Sequence, residues 1–209
     1  MSLHIGDRAP DFTIDSTKGK IHFHEWAGGS WVFFFSHPAD FTPVCTTEMG
    51  RTANLAADFA ARRTKPLGLS TDTVGEHLKW IADVNDTQGA DLDFPILADK
   101  DLEVSRLYDM IHPEESETEA VRSVFIIDPE RKVRLIMTYP MNVGRNFDEI
   151  LRVIDALQLA DRKTVATPAD WKPGNRVIIP PSVSNDDAKT LFPQGWEEVR
   201  PYLRMTTTD

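Results

Sequence analysis

A chain of 209 residues, 41% of them hydrophobic, suits one substantial domain with an appendage and argues against disorder. Its formal net charge of -10 and pI near 5.0 argue against a nucleic-acid surface and disfavour an anionic membrane, since both need clustered Lys and Arg. No apolar run approaches the roughly 18 residues of a membrane span, the N-terminal stretch carries no basic segment ahead of an apolar one, and there is a single cysteine; no integral membrane association and a cytoplasmic location are therefore expected.

In chain order, Phe12 and Ile14 alternate with polar neighbours as a short strand, Lys18-Gly19-Lys20 is a turn, and Ile21 to His24 is the hairpin partner. The run Trp31 to Phe35 lacks the alternation of a half-exposed strand and predicts a central strand covered on both faces. A helical pattern from Pro43 to about Arg62 places Met49, Ala53, Ala56 and Ala60 on one face. Pro66 to Ser70 is a strand, and Thr73 to Glu76 has the spacing of a capping box ahead of the helical segment His77 to Ile81. Phe94 to Ala98 reads as a strand near an edge because of its proline, Leu102 to Tyr108 as a short helix, and Asp109 to Glu119 as an exposed loop. Arg122 to Ile127 and Val133 to Thr138 pair across Asp128-Pro129-Glu130; Asn146 then caps a helix striped by Phe147, Ile150, Leu151, Ile154 and Leu157. From Thr164 on the chain becomes proline-rich, with an apolar stretch at 176–179 and a short helix over 186–192. A boundary at 163/164 is expected, with residues 1–163 forming the main domain and 164–209 a small subdomain. The alternation of elements predicts an α/β fold around a mixed sheet.

Cys45 stands in the first turn of its helix, directly after the buried strand and its loop. Orphan backbone N–H groups and the positive end of the helix dipole there favour thiolate over thiol, which makes Cys45 a candidate nucleophile; a lone cysteine can equally be a small buried hydrophobe. Thr42 can aim a hydroxyl at the sulfur, and Pro43 stiffens the turn. With one cysteine no intrachain disulfide can form, so any redox cycle at Cys45 must be closed by an outside thiol.

The segment Pro43-Val44-Cys45-Thr46-Thr47-Glu48, preceded by Ser36-His37-Pro38-Ala39-Asp40-Phe41-Thr42, resembles the peroxiredoxins, specifically the one-cysteine subfamily. The likeness runs from Ile5-Gly6-Asp7 through Gly144-Arg145-Asn146-Phe147 to Val165-Ala166-Thr167-Pro168. It implies a thioredoxin-like fold whose C-terminal part reaches across a homodimer, alone or within a higher oligomer, and a thiol peroxidase that needs no cofactor. It also implies roles: Cys45 as the peroxidatic residue, Arg122 stabilising thiolate and peroxide, Thr42 binding peroxide, and Pro43 shielding the sulfur. The N–H groups of Val44 and Cys45 would complete the pocket, Glu48 and Arg145 would hold Arg122, and His37 would modulate Cys45 or its sulfenate. Without the resemblance, Arg122 and Arg145 read as surface charges and Glu48 as a helix-face acid. The implied substrates are H2O2 and organic hydroperoxides, and the reductant glutathione or a thioredoxin-type thiol.

Thiolate formation alone would explain little. Lowering a thiol pKa from about 8.5 to about 6.5 raises the thiolate fraction at pH 7 roughly 25-fold, but a Brønsted slope of about 0.45 gives back roughly 8-fold in nucleophilicity. Most of the acceleration must come from holding the peroxide in line and donating to its leaving oxygen. Two other activities are compatible with the resemblance. A phospholipase A2-like hydrolase would use Ser30, His24 and Glu130, although Gly28-Gly29-Ser30-Trp31-Val32 lacks the last glycine of Gly-x-Ser-x-Gly. A holdase chaperone or redox-signal relay would need no turnover. His22 and His24, spaced to share a strand face, lack a nearby third ligand, so no metal is expected.

Overall fold

The computed structural model describes residues 3–208. The chain divides into two compact units, one through Phe147 and one from Asp148 on. The first is built on a seven-stranded mixed sheet in the order β2-β1-β5-β4-β3-β6-β7, formed by β1 (Thr13–Ser16), β2 (Gly19–His22), β3 (Trp31–Ser36), β4 (Thr64–Ser70), β5 (Ile96–Ala98), β6 (Arg122–Ile127) and β7 (Val133–Tyr139). Strands β3, β4 and β5 run parallel to their neighbours in that trio; every other pairing is antiparallel.

β3 is buried along its whole length, as its unbroken apolar run predicts. Phe34 faces a cluster with Phe12, Phe23, Tyr108 and Phe125, whereas Phe33 stacks on Phe59, with ring centroids 5.3 Å apart, on the opposite face. A strand anchored on both sides is a rigid base for the loop that follows it, and that loop carries Cys45.

Three local readings are corrected. The second hairpin strand stops at His22, and Phe23–Ala27 form a short helix, α1. The Asp11 carboxylate accepts from the His24 N–H at 2.9 Å while Phe23 becomes fully buried, so a side-chain contact and apolar burial outweigh the alternation pattern. His22 and His24 therefore share no strand face. The helix predicted to reach Arg62 breaks at Leu55 into α2 (Pro43–Asn54) and α3 (Ala56–Ala61). The break turns Leu55 and Phe59 inward and leaves Ala56 and Ala60 exposed, which buries far more apolar area than the unbroken stripe would. Finally, β5 lies inside the sheet between β1 and β4; Pro95 precedes the strand and takes no ladder position within it. The capping box of α4 (Val74–Gln88) forms as read, with Thr73 and Glu76 bonding reciprocally, and α5 (Glu103–Leu107) follows β5.

The second unit contains α6 (Phe147–Lys163) except its first residue, β8 (Val177–Ile179), α7 (Asn185–Leu191), β9 (Glu197–Arg200) and β10 (Leu203–Thr206), with a small antiparallel sheet in the order β8-β10-β9. It has its own core, in which Leu159, Trp171, Val177, Ile179 and Phe192 are buried. β10 alternates apolar and polar residues but buries the polar ones, Arg204 and Thr206, and Arg204 fixes the strand by donating to the carbonyls of Pro180 and Val183 and to Asn185.

Candidate active site

Residues 37–42 connect β3 to α2. Phe41 takes a left-handed backbone, φ 55°, rare for a bulky residue and the kind of strain found at functional sites, and Thr42 returns to an extended conformation as the N-cap of α2. Pro43 occupies the first helical position, where its lack of an N–H costs nothing. The first intrahelical bond runs from the Thr46 N–H to the Thr42 carbonyl, so the N–H groups of Val44 and Cys45 lie in the turn that has no helical acceptors. Cys45 is fully buried at this point.

Arg122, 77 positions away, begins β6 and donates from Nη1 to Cys45 Sγ at 3.3 Å. The same Nη1 meets Glu48 Oε2 at 2.8 Å, while Nε and Nη2 both bond the Met141 carbonyl, at 2.9 and 2.6 Å. Glu48 is one turn along α2 from Cys45. Its carboxylate also accepts from Arg145 three times, through the backbone N–H at 2.8 Å, Nε at 3.0 Å and Nη2. Arg145 anchors in turn to the carbonyls of Ser36 and Ser123, with its guanidinium 4.9 Å from the Phe35 ring centre. Neither arginine is a surface charge: both are buried, as is Glu48. Burial alone would raise the Glu48 pKa, but the charges and hydrogen bonds of Arg145 and Arg122 outweigh it and hold the carboxyl below its ordinary value. Two cations and one anion are thus gathered beside the sulfur, and a thiolate at Cys45 makes the set neutral.

Thr42 does not aim its proton at the sulfur. Its Oγ1 donates to the Ala39 carbonyl at 2.8 Å and makes no hydrogen bond to Cys45 among the described residues. His37 is fully buried, with Nε2 2.9 Å from Asp40 Oδ1, and His77 on α4 reaches the other Asp40 oxygen with Nδ1 at 2.7 Å. Burial drives the His37 pKa down, against the hydrogen bond and charge of Asp40, which pull it up. Burial pushes Asp40 upward, but its bonds to both histidines prevail and leave it below the ordinary value. His37, Asp40 and Asp72 bring potential ligand atoms within 4.8 Å of one another, yet Asp72 already accepts from Ser70 and from the Asp40 N–H, so the group is satisfied without an ion. Asp40 and His77 were not singled out from the sequence: His77 lies on the buried stripe of α4, and only the spacing of His37 and Asp40 hinted at a pair.

The hydrolase constellation does not assemble. His24 Nε2 is engaged by the Ala9 carbonyl at 2.8 Å, Glu130 bonds Lys132, and among the described residues no hydrogen bond joins Ser30, His24 and Glu130.

Known proteins match this chain over nearly its whole length. The AhpC/TSA family matches residues 5–136, and the C-terminal domain of 1-Cys peroxiredoxin matches residues 156–195. A 1-Cys peroxiredoxin of Dictyostelium discoideum is 50% identical over 204 residues, covering 98% of this chain and 85% of its own. The chain belongs to the one-cysteine peroxiredoxins. It is accordingly a peroxidase with a thioredoxin-like fold. Mitochondrial peroxiredoxin PRX1 of Saccharomyces cerevisiae is 51% identical, covering 98% of this chain and 80% of its own. Among solved structures, a yeast mitochondrial 1-Cys peroxiredoxin, described with thiol resolution via glutathione/thioredoxin systems, superposes with a TM-score of 0.93 at 49% identity, covering 99% of this chain and 100% of that one. A cysteine-to-serine mutant of peroxiredoxin 6 from Arenicola marina gives the same TM-score at 46% identity, covering 100% and 99% of the two chains. No helix among the described residues is long and apolar enough to cross a membrane.

Proposed function

We propose that Cys45 is the peroxidatic residue and that the hydrogen bond from Arg122 to its sulfur carries the reading. The thiolate attacks one oxygen of H2O2 or an organic hydroperoxide; the O–O bond breaks, the sulfur becomes a sulfenic acid, and the departing oxygen takes up a proton as water or alcohol. Arg122 stabilises the thiolate and then the charge growing on the leaving oxygen. Thr42 Oγ1, whose own proton goes to Ala39, is left as an acceptor for the O–H of the hydroperoxide. The N–H groups of Val44 and Cys45 donate to the bound oxygens, and Pro43 shields the sulfur from water. Glu48 and Arg145 hold Arg122 in place, and His37 modulates Cys45 or its sulfenate.

An external thiol then displaces hydroxide from the sulfenic acid, which leaves as water with the thiol proton, and a second thiol frees Cys45 from the mixed disulfide; excess peroxide carries it to sulfinic acid. The yeast structure's association with glutathione and thioredoxin systems supports a reductant of either kind. We place the C-terminal segment, 164–209 on the sequence reading, at a homodimer interface and the protein in the cytoplasm; one relative is named mitochondrial.

Stopped-flow mixing of reduced protein with H2O2, followed by intact mass after one equivalent, tests the reading. Rapid loss of peroxide and a dimedone-trapped one-oxygen adduct are expected in the parent and absent in Cys45→Ser. A parent that reacts no faster than a free thiol overturns it.

A further inference from the structure

The buried group His37, Asp40 and His77 admits a deduction from hydrogen-bond polarity. Asp40 is a carboxylate, an acceptor only, so each histidine nitrogen facing it must carry a proton. Those nitrogens are His37 Nε2, at 2.9 Å, and His77 Nδ1, at 2.7 Å. The second nitrogen of His77, Nε2, lies 3.2 Å from the Leu97 carbonyl, again an acceptor, and so needs a proton too. His77 satisfies both contacts only as an imidazolium. The second nitrogen of His37 is in the opposite situation: Nδ1 is buried with no hydrogen-bond partner among the described residues, so a proton there would be stranded. All three side chains are withdrawn from water. The part-buried Asp72 carboxylate, within 4.8 Å of His37 and Asp40, is already engaged by Ser70 and the Asp40 N–H, so the stranded proton on Nδ1 is what decides against a second imidazolium. The histidine with two acceptors is where the cation belongs.

We infer that His77 is a positioning residue that holds the positive charge of this group and keeps His37 neutral, with its proton on Nε2 and a bare Nδ1 able to accept a proton. The lowered pKa of His37 is consistent with that state. His37 directly follows Ser36, whose carbonyl is held by Arg145, and its ring lies 5.1 Å from that of Trp80, which donates to Thr46 beside Cys45. The role rests on the assignment of Cys45 as the peroxidatic residue. Among the described residues no hydrogen bond joins His37 Nδ1 to Cys45 Sγ, so His37 acts on the site through its charge state, which stays neutral while His77 holds the proton.

Nitrogen-15 NMR of the reduced protein labelled at histidine, with signals assigned by single substitutions, tests this near neutral pH. The expected spectrum shows His77 with both nitrogens protonated and His37 with Nε2 protonated and Nδ1 bare. A neutral His77, or a proton on His37 Nδ1, overturns the inference. In His77→Asn, whose amide can still donate to Asp40 but carries no charge, His37 should take up the second proton; an unchanged His37 signal would show that His77 does not set its state. The spectra need no peroxide, so an unreactive Cys45 would sink the peroxidatic assignment while leaving the charge placement standing. A reactive Cys45 beside a doubly protonated His37 would do the reverse.

Discussion

Replacing Glu48 by Gln separates two effects that act in opposite directions on Arg122. The carboxylate lies 2.8 Å from Arg122 Nη1 and dilutes the positive charge offered to Cys45, so removing its charge alone should speed the reaction. The same carboxylate fixes where Arg122 points. Glutamine can keep one oxygen toward the Arg145 N–H and Nε, which leaves its amide nitrogen facing Arg122 Nη1 and Arg145 Nη2, donor against donor. Loss of one preorganised donor at a developing charge costs about 10²–10³ in rate, or about 2.7–4 kcal/mol. Breaking a buried ion pair from one side costs about 3–5 kcal/mol of stability, a large share of the roughly 5–15 kcal/mol that holds a domain folded. The expected result is a folded but weakened protein whose second-order rate with H2O2 falls at least tenfold, read by stopped-flow fluorescence alongside denaturant unfolding. If Glu48→Gln reacts as fast as the parent or faster, charge dilution dominates and Glu48 does not position Arg122.

The pH dependence of stability follows from the same carboxylate. Because its folded pKa is depressed, Glu48 contributes stability that is complete above its unfolded pKa, about 4.5, and lost as the pH falls through the folded value; Asp40 acts in the same sense from about 3.8. Unfolding midpoints measured from pH 7 downward should show a fall that is shallower in Glu48→Gln, and parallel curves would remove Glu48 as the source. Gly50 lets α2 approach α4 so closely that an added Cβ would sit 2.4 Å from Gln88 Cβ, so Gly50→Ala should lose about 1–3 kcal/mol in denaturant unfolding despite its better helix propensity. Thr73→Ala removes one half of the α4 capping box and should cost about 1 kcal/mol, seen as a lower unfolding midpoint with an unchanged denaturant slope.

What the sequence conveyed and what it hid follow from the range of the interactions concerned. β3, the α4 cap and the β6-β7 hairpin are encoded by neighbours in the chain, and all three read correctly. The break at Leu55 was illegible because alanines fit either face of a helix; only the packing of Phe59 on Phe33 decides which residues turn inward. The placement of β5 between β1 and β4 depends on strand order, which a proline in the preceding residue cannot report. Arg122 and Arg145 read locally as ordinary charges. The family likeness pointed to them, since no periodicity links position 45 to position 122. Asp40, in the loop between β3 and α2, and His77, on a buried helix face, escaped because a buried polar residue becomes meaningful only when its partner is known.

Charge balance bears on two buried ionic groups, the arginines with Glu48 beside Cys45 and the histidines on Asp40. On one side Arg122, Arg145 and Glu48 leave one positive charge uncompensated until the sulfur ionises, so thiolate formation completes an electrostatic set. On the other, Asp40 already has its cation if His77 carries it, and His37 is left neutral. On the proposed roles the two groups would divide the labour: a fixed guanidinium would meet negative charge on sulfur and oxygen, and a neutral imidazole would add no competing charge.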